Sequence, residues 1–314
     1  MRDSATFGRA RGGRLMFGAC AVVAVVVTLI VLVVSGGSSD DRGAPRVPGA
    51  SADARPSPSP SPTPEWDTDP DSLAALGDSI TRAYDACSLL SDCPEASWAT
   101  GTSPEVDSLA ERLGIPTSAR WNLARSGALM ADLPAQAGRA AAHRPDLVTV
   151  LIGANDACRP SVERMTPVAE FRADFAEALR VLRRSSPRTR VYVAGVPDLE
   201  RLWEQGRSHP LAARVWELGI CPSMLGDADA VDAAAVERRA KVAERVRAYN
   251  AALREVCARD ARCRHDGGAV HAYRFTTREL SGWDWFHPGR AGQRKLAEIA
   301  HRRVTAEHPP SRTR

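Results

Sequence analysis

The sequence predicts an α/β fold with a mainly parallel sheet. From residue 73 onward, short apolar segments alternate with longer segments of helical periodicity, which is the pattern of strands joined by helical crossovers. The most apolar short segment, Asp146–Ile152 (DLVTVLI), is nearly continuous, as in a strand covered on both faces of a parallel sheet. About 240 residues are expected to form one domain, which we assign to 71–308, followed by a short tail at 309–314.

Two strands and two helices are predicted in the first part of this domain. The apolar run Leu73–Leu76 ends at Gly77 and predicts a strand. Residues 104–114 (PEVDSLAERLG) have helical spacing and a terminal glycine, which is a common helix stop. A short strand is predicted at Trp121–Ala124, and the alanine-rich segment Ala131–His143 predicts a helix.

The second part of the domain continues the alternation. Thr166–Arg184 is a long amphipathic segment and predicts a helix, and Arg190–Val196 (RVYVAGV) predicts the next strand. A long helical stretch follows at Asp229–Arg259. The last strand is predicted at Ala269–Phe275 and the last helix at Ala291–Ala306.

One connection in this pattern is unusually long. It runs from Asp198 to Asp229 and carries Trp203, Trp216 and Met224. Connections longer than about 15 residues in a compact domain often form lids or binding walls. We therefore expect this segment to border the functional site.

The first 70 residues differ in composition from the rest of the chain. Residues 1–14 carry a net charge of +3, residues 15–35 carry no charge and residues 36–70 carry −3. The uncharged run is about as long as a membrane-spanning helix needs to be, and its basic flank predicts a cytoplasmic N-terminus with the rest of the chain outside. A cleaved signal peptide is the alternative, although its apolar core is usually about 7–15 residues.

Residues 36–70 are predicted to be a disordered linker. They contain the alternating sequence ARPSPSPSPTPEW, which cannot form a helix or a central strand and favours an extended spacer.

The net charge of the whole chain is only +4, which argues against a nucleic-acid-binding protein. The sequence therefore predicts a single-pass membrane protein with an extracellular domain.

Six cysteines follow Cys20, and their even number in an exported domain predicts disulfides. They are Cys87, Cys93, Cys158, Cys221, Cys257 and Cys263. Fifteen pairings are possible; the first two and the last two are local pairs, and the middle two would then close a long loop. A zinc site is the alternative, but the chain has no Cys-x-x-Cys and no histidine pair at ligand spacing.

Four polar clusters follow predicted strands. They are Gly77–Ile80 (GDSI), Asn122–Gly127 (NLARSG), Gly153–Asp156 (GAND) and Asp284–Pro288 (DWFHP). Each alone has an ordinary structural interpretation, such as a helix cap or a turn. Because ligands bind beyond the carboxyl ends of strands in such sheets, the four together predict a site there.

A serine nucleophile needs a general base, usually a histidine, and the histidine needs an orienting carboxylate. Of the seven histidines, His287 is preceded by Asp284 in such a cluster. His265 and His271 are alternatives, either as structural residues or as a competing base. The remaining histidines, His143, His209, His301 and His308, are predicted at the surface.

The four clusters resemble, in order, the four blocks of the SGNH, or GDSL, hydrolases. The residues that carry the resemblance are Ser79, Gly127, Asn155 and the pair Asp284 and His287. The resemblance spans 73–288 and implies a flavodoxin-like, three-layer α/β/α fold and the hydrolysis of esters. The cysteines are similar to the three disulfides of secreted actinobacterial esterases and lipases of this family.

The resemblance also implies a role for each residue. Ser79 would be the nucleophile, His287 the base and Asp284 its orienting acid. The oxyanion hole would consist of the N–H groups of Ser79 and Gly127 and the side-chain amide of Asn155. This chemistry uses no cofactor and no metal, and a small-molecule or lipid ester is the expected substrate.

Two other functions remain open at the level of sequence. An acyltransferase or deacetylase that acts on cell-envelope glycans would use the same residues. A non-catalytic envelope-binding protein is the third possibility, and the presence of Ser79, Asp284 and His287 argues against it. We expect the domain to be a monomer.

Overall fold

The structure is a computed structural model that describes residues 66–307. The predicted cytoplasmic segment 1–14, the predicted membrane span 15–35 and the tail 309–314 lie outside the described residues, and so does the linker 36–70 up to residue 65. Between residues 66 and 307, no helix is both long enough and apolar enough to cross a membrane.

Five parallel strands form one sheet within residues 66–307. In chain order they are β1 Leu73–Gly77, β2 Arg120–Asn122, β3 Leu147–Leu151, β4 Arg190–Val193 and β5 Cys263–His265. Their order across the sheet is β2-β1-β3-β4-β5, and Leu73 is paired with both Arg120 and Leu147. The predicted α/β fold with a mainly parallel sheet is confirmed.

Helices connect these strands and cover both faces of the sheet. They are α1 Leu109–Arg112, α2 Leu133–His143, α3 Ala154–Ala157, α4 Val168–Ser185, α5 Leu199–Gly206, α6 Pro210–Trp216, α7 Pro222–Leu225, α8 Ala233–Cys257, α9 Ala269–Ala272 and α10 Arg290–Val304. Helix α4 packs against both α2 and α8, and α1 packs against α10. Every residue of β1 and β3 is buried; because side chains alternate between the two faces of a strand, both faces of the sheet are covered.

The predicted last strand, Ala269–Phe275, is wrong. Its first four residues form α9, and the last strand is β5, which pairs with β4 through Val191 and Cys263. The Asp266 carboxylate accepts hydrogen bonds from the N–H groups of Gly268 and Val270, which begins the helix there. Strand β5 was missed because it has only three residues, two of which are Arg264 and His265.

The predicted helix 104–114 is shorter in the structure, where α1 covers only four residues. Asp107 has a left-handed backbone with a φ of 50°, which cannot continue a right-handed helix. Ser108 then begins α1, because its Oγ accepts a hydrogen bond from the N–H of Glu111.

The long connection between β4 and α8 contains three short helices, which we call the α5–α7 segment (residues 199–225). Trp203 Nε1 donates to the carbonyl of Ala228 at 2.9 Å. The guanidinium of Arg239, on α8, lies over the Trp203 ring at 4.1 Å from its centroid. These contacts hold the segment against α8.

The six cysteines after Cys20 form three disulfides. Two close short loops, Cys87–Cys93 and Cys257–Cys263. The third, Cys158–Cys221, joins the residue after α3 to the residue before α7. The α5–α7 segment is therefore linked covalently to the region that follows β3.

Gly77 ends β1 at a point where a side chain cannot fit. Its φ is +150°, and a Cβ there would lie 2.2 Å from the carbonyl oxygen of Leu151. We expect Gly77→Ala to lower the free energy of unfolding by at least about 2 kcal/mol. Urea unfolding measures this change.

Gly138→Ala is the matched control for this prediction. Gly138 lies within α2, and the nearest atom to a Cβ there is 3.9 Å away, on Val181. Because alanine favours a helix interior, this variant should be about 0.5–1 kcal/mol more stable than the parent. Equal stability of the two variants would contradict the close approach at Gly77.

Candidate active site

The turn after β1 brings Ser79 to the carboxyl edge of the sheet. Gly77 is the last residue of the strand, and the Asp78 Oδ1 accepts a hydrogen bond from the N–H of Ile80 at 2.9 Å. Ser79 is only 8% exposed, so its hydroxyl lies in a sheltered position.

The structure brings three of the predicted residues into one hydrogen-bonded row. His287 Nε2 lies 2.9 Å from Ser79 Oγ, and His287 Nδ1 lies 2.5 Å from Asp284 Oδ2. The other oxygen of Asp284 accepts from the N–H groups of Phe286 and His287, both at 3.0 Å. An imidazole in this arrangement can take a proton from the hydroxyl while the carboxylate stabilises the resulting cation.

The electrostatics of the pair favour the ionised forms of both groups. Burial lowers the pKa of His287, but the hydrogen bond and the charge of Asp284 outweigh burial and raise it above its usual value. Burial raises the pKa of Asp284, but the hydrogen bond and the charge of His287 outweigh burial and lower it. Because each group stabilises the charge of the other, the pair favours an imidazolium next to a carboxylate.

The α5–α7 segment holds the turn that carries Asp284. The buried Trp216 Nε1 donates to the carbonyl of Asp284 at 2.8 Å. The His209 ring stacks on Trp285, with centroids 4.5 Å apart. His209, which we predicted at the surface, therefore belongs to the support of this turn. In the sequence, the tryptophans of the long connection were the feature that indicated a role for this segment near the site.

The second cluster places Gly127 in an exposed turn with a φ of +77°. Its neighbour Ser126 donates through Oγ to Asp92 Oδ1 at 2.5 Å, and Arg82 forms an ion pair with the same carboxylate at 2.9 Å. Asp92, which sequence reasoning missed, thus ties the Gly127 turn to the segment that follows Ser79.

The third cluster begins α3 and is tied to the second. Asn155 Nδ2 donates to the carbonyl of Ala128 at 3.0 Å. Gly153 has a φ of +123°, and a Cβ there would lie about 3 Å from Phe171 and Val196. A glycine is therefore required where the chain turns from β3 towards Asn155.

Two buried carboxyl groups lie behind these clusters. Burial, together with the nearby charge of Asp156, raises the pKa of Asp78 to about 7. Burial likewise raises the pKa of Asp156 to about 6, although the N–H of Met130 donates to its Oδ2 at 2.9 Å. Both side chains are fully buried, which disfavours two full negative charges at this place.

A small apolar pocket adjoins His287. Its walls include Ile80 from the first cluster, Leu199 and Leu202 from α5, and Phe275 and Phe286. The free volume within it is about 10 Å³, which suits a small apolar group.

The two alternative histidines make other contacts. His271 Nδ1 lies 3.2 Å from the carbonyl of Val196, and His265 Nδ1 accepts from the N–H of Gly267 at 3.0 Å. His287 is the histidine in hydrogen-bond contact with Ser79.

Two groups of potential metal ligands occur within the described range. Cys87, Cys93 and Glu95 form one group, but its two cysteines are joined in a disulfide and offer no thiolate. Asp85, Asp284 and His287 form the other, with one ligand atom from each within 4.8 Å of the others. The short hydrogen bond between Asp284 and His287 already joins two members of this second group.

Comparison with known proteins defines the family. The sequence profile of the family described as GDSL-like Lipase/Acylhydrolase matches residues 73–300. The chain therefore belongs to this family, as its four blocks predicted. It is a carboxylic ester hydrolase with the α/β fold of the SGNH enzymes. A comparison with curated proteins gives no match.

Several solved structures of esterases and lipases are similar to this chain. One is a catalytic mutant of an acetylxylan esterase from Geobacillus stearothermophilus, with 18% identity over 77% of this chain and 97% of that chain, and a TM-score of 0.47. Another is an extracellular lipase from Streptomyces rimosus, with 17% identity over 75% and 99%, and a TM-score of 0.43. A family 3 carbohydrate esterase from Clostridium thermocellum has 15% identity over 73% and 92%, and a TM-score of 0.43. These similarities are too distant to define a substrate.

The raised pKa of Asp78 predicts a pH-dependent stability. In the unfolded chain this carboxyl has its ordinary pKa of 3.8, whereas in the folded protein its pKa is about 7. As the pH rises from about 4 to 7, the unfolded chain releases this proton first, so the free energy of unfolding falls. Asp78→Asn should reduce the loss of stability between pH 4.5 and pH 8 by up to about 3 kcal/mol.

Urea unfolding at the two pH values measures this effect, and Asp69→Asn provides the control. Asp69 is exposed, so its replacement should leave the pH dependence of the parent unchanged. An Asp78→Asn variant with the same pH dependence as the parent would show that the folded protein does not shift this carboxyl.

Proposed function

We propose that this chain hydrolyses carboxylic esters through an acyl-enzyme, with Ser79 as nucleophile, His287 as general base and Asp284 as the residue that orients His287. The observation that carries the proposal is the hydrogen-bonded row from Asp284 through His287 to Ser79, with 2.9 Å between the imidazole nitrogen and the hydroxyl oxygen. This distance permits direct proton transfer.

In the first half of the reaction, His287 Nε2 takes the proton of Ser79 Oγ as that oxygen attacks the ester carbonyl carbon. The carbonyl oxygen becomes an oxyanion in a tetrahedral intermediate. The bond to the alcohol oxygen then breaks, and His287 returns the proton to the departing alcohol. An acyl group remains esterified to Ser79.

In the second half, His287 takes a proton from a water molecule, whose oxygen attacks the acyl carbon. The bond to Ser79 Oγ breaks, and the proton on His287 returns to that oxygen. The products are the carboxylic acid and the free enzyme. Asp284 stabilises the imidazolium that forms in each half.

Three N–H donors are available for the oxyanion. Within residues 66–307, the backbone N–H groups of Ser79 and Gly127 donate to no acceptor of the protein. The side-chain amide of Asn155 has two donors, of which one is used by the carbonyl of Ala128. These free donors support the assignment of the oxyanion hole to Ser79, Gly127 and Asn155.

The apolar pocket beside His287 supports a preference for esters with short apolar groups. Its walls carry leucine, isoleucine and phenylalanine side chains, and its free volume is about 10 Å³. A long acyl chain does not enter this pocket without movement of its walls. We therefore choose p-nitrophenyl acetate as the substrate for the tests.

Substitutions in the row should separate the roles of its members. Ser79→Ala and His287→Ala should each remove nearly all esterase activity, because the two residues act as one unit. Asp284→Asn should cost less than either, because Asp284 only orients His287 and stabilises its charge. Asn155→Ala should lower kcat by about 10²–10³ with KM little changed, because the amide binds the oxyanion and not the ground-state ester.

Steady-state kinetics of these variants tests the proposal, and a phosphonate inhibitor should label Ser79 alone. Full activity of His287→Ala together with loss of activity in His271→Ala would contradict the assignment of the base. Acyl transfer to an added sugar, measured against release of free acid, distinguishes the alternative acyltransferase. Predominant transfer to the sugar would contradict hydrolysis as the function.

We also propose that the catalytic domain lies outside the cytoplasm, with an uncleaved membrane helix at 15–35 and a spacer at 36–70. Two observations support this location. The charge pattern around the uncharged run favours a cytoplasmic N-terminus. The three disulfides are typical of proteins in oxidising compartments.

Protease treatment of intact cells tests this topology. A protease should cut within 36–70 and release a soluble, active esterase, because a sequence of alternating proline and serine favours neither a helix nor a central strand. A cytosolic marker enzyme serves as the control and should stay intact. Recovery of the esterase in the cytosol, protected from the protease, would contradict the proposal; its presence in the medium, with a new N-terminus near residue 36, would indicate a cleaved signal peptide instead.

A further inference from the structure

A second carboxylate lies next to the pair formed by Asp284 and His287. It belongs to Asp85, six residues after Ser79, and its side chain is almost fully buried. One carboxylate oxygen of Asp85, one of Asp284 and a ring nitrogen of His287 all lie within 4.8 Å of one another. The arrangement is therefore one imidazole with two carboxylates around it.

The backbone fixes the position of Asp85. Its φ is +55°, a left-handed conformation that non-glycine residues seldom adopt. Its N–H donates to the carbonyl of Ser91 at 2.9 Å, and its own carbonyl accepts from Ser281 Oγ at 2.7 Å. Ser91 lies within the loop closed by Cys87–Cys93, and Ser281 precedes Asp284 by three residues. Asp85 thus joins the region after Ser79 to the region that carries His287.

The carboxylate of Asp85 is only partly satisfied by hydrogen bonds. The backbone N–H groups of Leu90 and Ser91 stabilise its charge and lower its pKa. Its Oδ1, however, has no hydrogen-bond partner within residues 66–307. A buried, incompletely paired carboxylate is unfavourable unless a positive charge lies close to it. The group in this cluster that can carry a positive charge is His287.

We propose that Asp85 is a positioning residue for ester hydrolysis, a second carboxylate that stabilises the imidazolium form of His287 together with Asp284. This inference rests on the proposed function, in which His287 becomes protonated each time Ser79 or water loses a proton. Asp85 contacts no reacting atom. It acts through His287, by favouring the state in which the ring carries the proton.

Several charged groups close to His287 change its pKa. Asp284, Asp78 and Asp85 each raise the pKa of His287 through their charges, against the effect of burial. The ring of Tyr84 packs against the imidazole, with centroids 5.2 Å apart. Asp85 itself is faced by Asp284 and His287; burial and the charge of Asp284 raise its pKa.

The direction of the effect follows from these charges. His287 must be neutral to act as a base, so activity falls as the pH drops below its pKa. Loss of the Asp85 charge lowers the pKa of His287, so the acid limb of the pH profile moves to lower pH. The imidazolium that forms in the transition state is then less stable, so kcat also falls above pH 7.

The test uses Asp85→Asn in the full-length protein with p-nitrophenyl acetate. We expect the midpoint of the acid limb of kcat/KM to move to lower pH by about half a pH unit, and kcat at pH 8 to fall about 3-fold with KM unchanged. Asp107→Asn is the matched control, because Asp107 also has a left-handed backbone, with a φ of 50°, and pairs with Arg112 away from this cluster. It should keep the parent profile.

Asp85→Gly is a second variant, which serves as a control in case Asp85→Asn misfolds. Glycine adopts a positive φ readily, so this change removes the carboxylate without a backbone penalty. The two variants should show the same shift of the acid limb. A parent-like acid limb and kcat in either folded variant would overturn the role of Asp85.

A titration that needs no activity separates this inference from the proposed function. In the Ser79→Ala protein, the His287 ring is followed by NMR against pH, with and without Asp85→Asn. A lower His287 pKa in the double variant supports the role of Asp85, and an unchanged pKa overturns it. Failure of the proposed function shows instead as esterase activity that survives both Ser79→Ala and His287→Ala.

Discussion

The hydrogen bond between Asp284 and His287 is the interaction on which the rest of the site depends. It orients the imidazole towards Ser79, and in the proposed mechanism it stabilises the proton that the ring receives. A carboxylate this deeply buried needs full compensation, and two backbone N–H groups of its own turn supply part of it. The indole of Trp216 fixes the same turn through the carbonyl of Asp284. The α5–α7 segment thus supports the turn that carries Asp284.

The sequence was sufficient to predict the centre of the sheet and the three residues that form the hydrogen-bonded row. Strand β3 was predictable because a buried parallel strand is continuously apolar, and the four polar clusters were recognisable because each follows a strand or precedes a helix. Strand β5 was not predictable, since Arg264 is polar in sequence although its guanidinium is satisfied by carbonyls near the end of α10. Asp85 was also missed, because only the folded chain brings it to Asp284, about 200 residues away in sequence.

Four carboxyl groups lie at this edge of the sheet, three of which act on His287 through their charges while the fourth, Asp156, acts on Asp78, and they differ in how their charge is compensated. They are Asp78, Asp85, Asp156 and Asp284. The hydrogen bond and charge of His287 lower the pKa of Asp284, whereas burial raises the pKa of the other three. Asp284, which contacts the imidazole directly, therefore keeps its negative charge to a lower pH than the other three, and it stabilises the imidazolium most strongly.

The chain enters the domain at the end opposite to this site. Trp66, the first described residue, donates through Nε1 to the carbonyl of Val304 at 2.8 Å, and the guanidinium of Arg264 lies over its ring. Val304 ends α10, which begins three residues after His287 and spans about 22 Å. The contact of Trp66 is thus separated from His287 by the length of that helix.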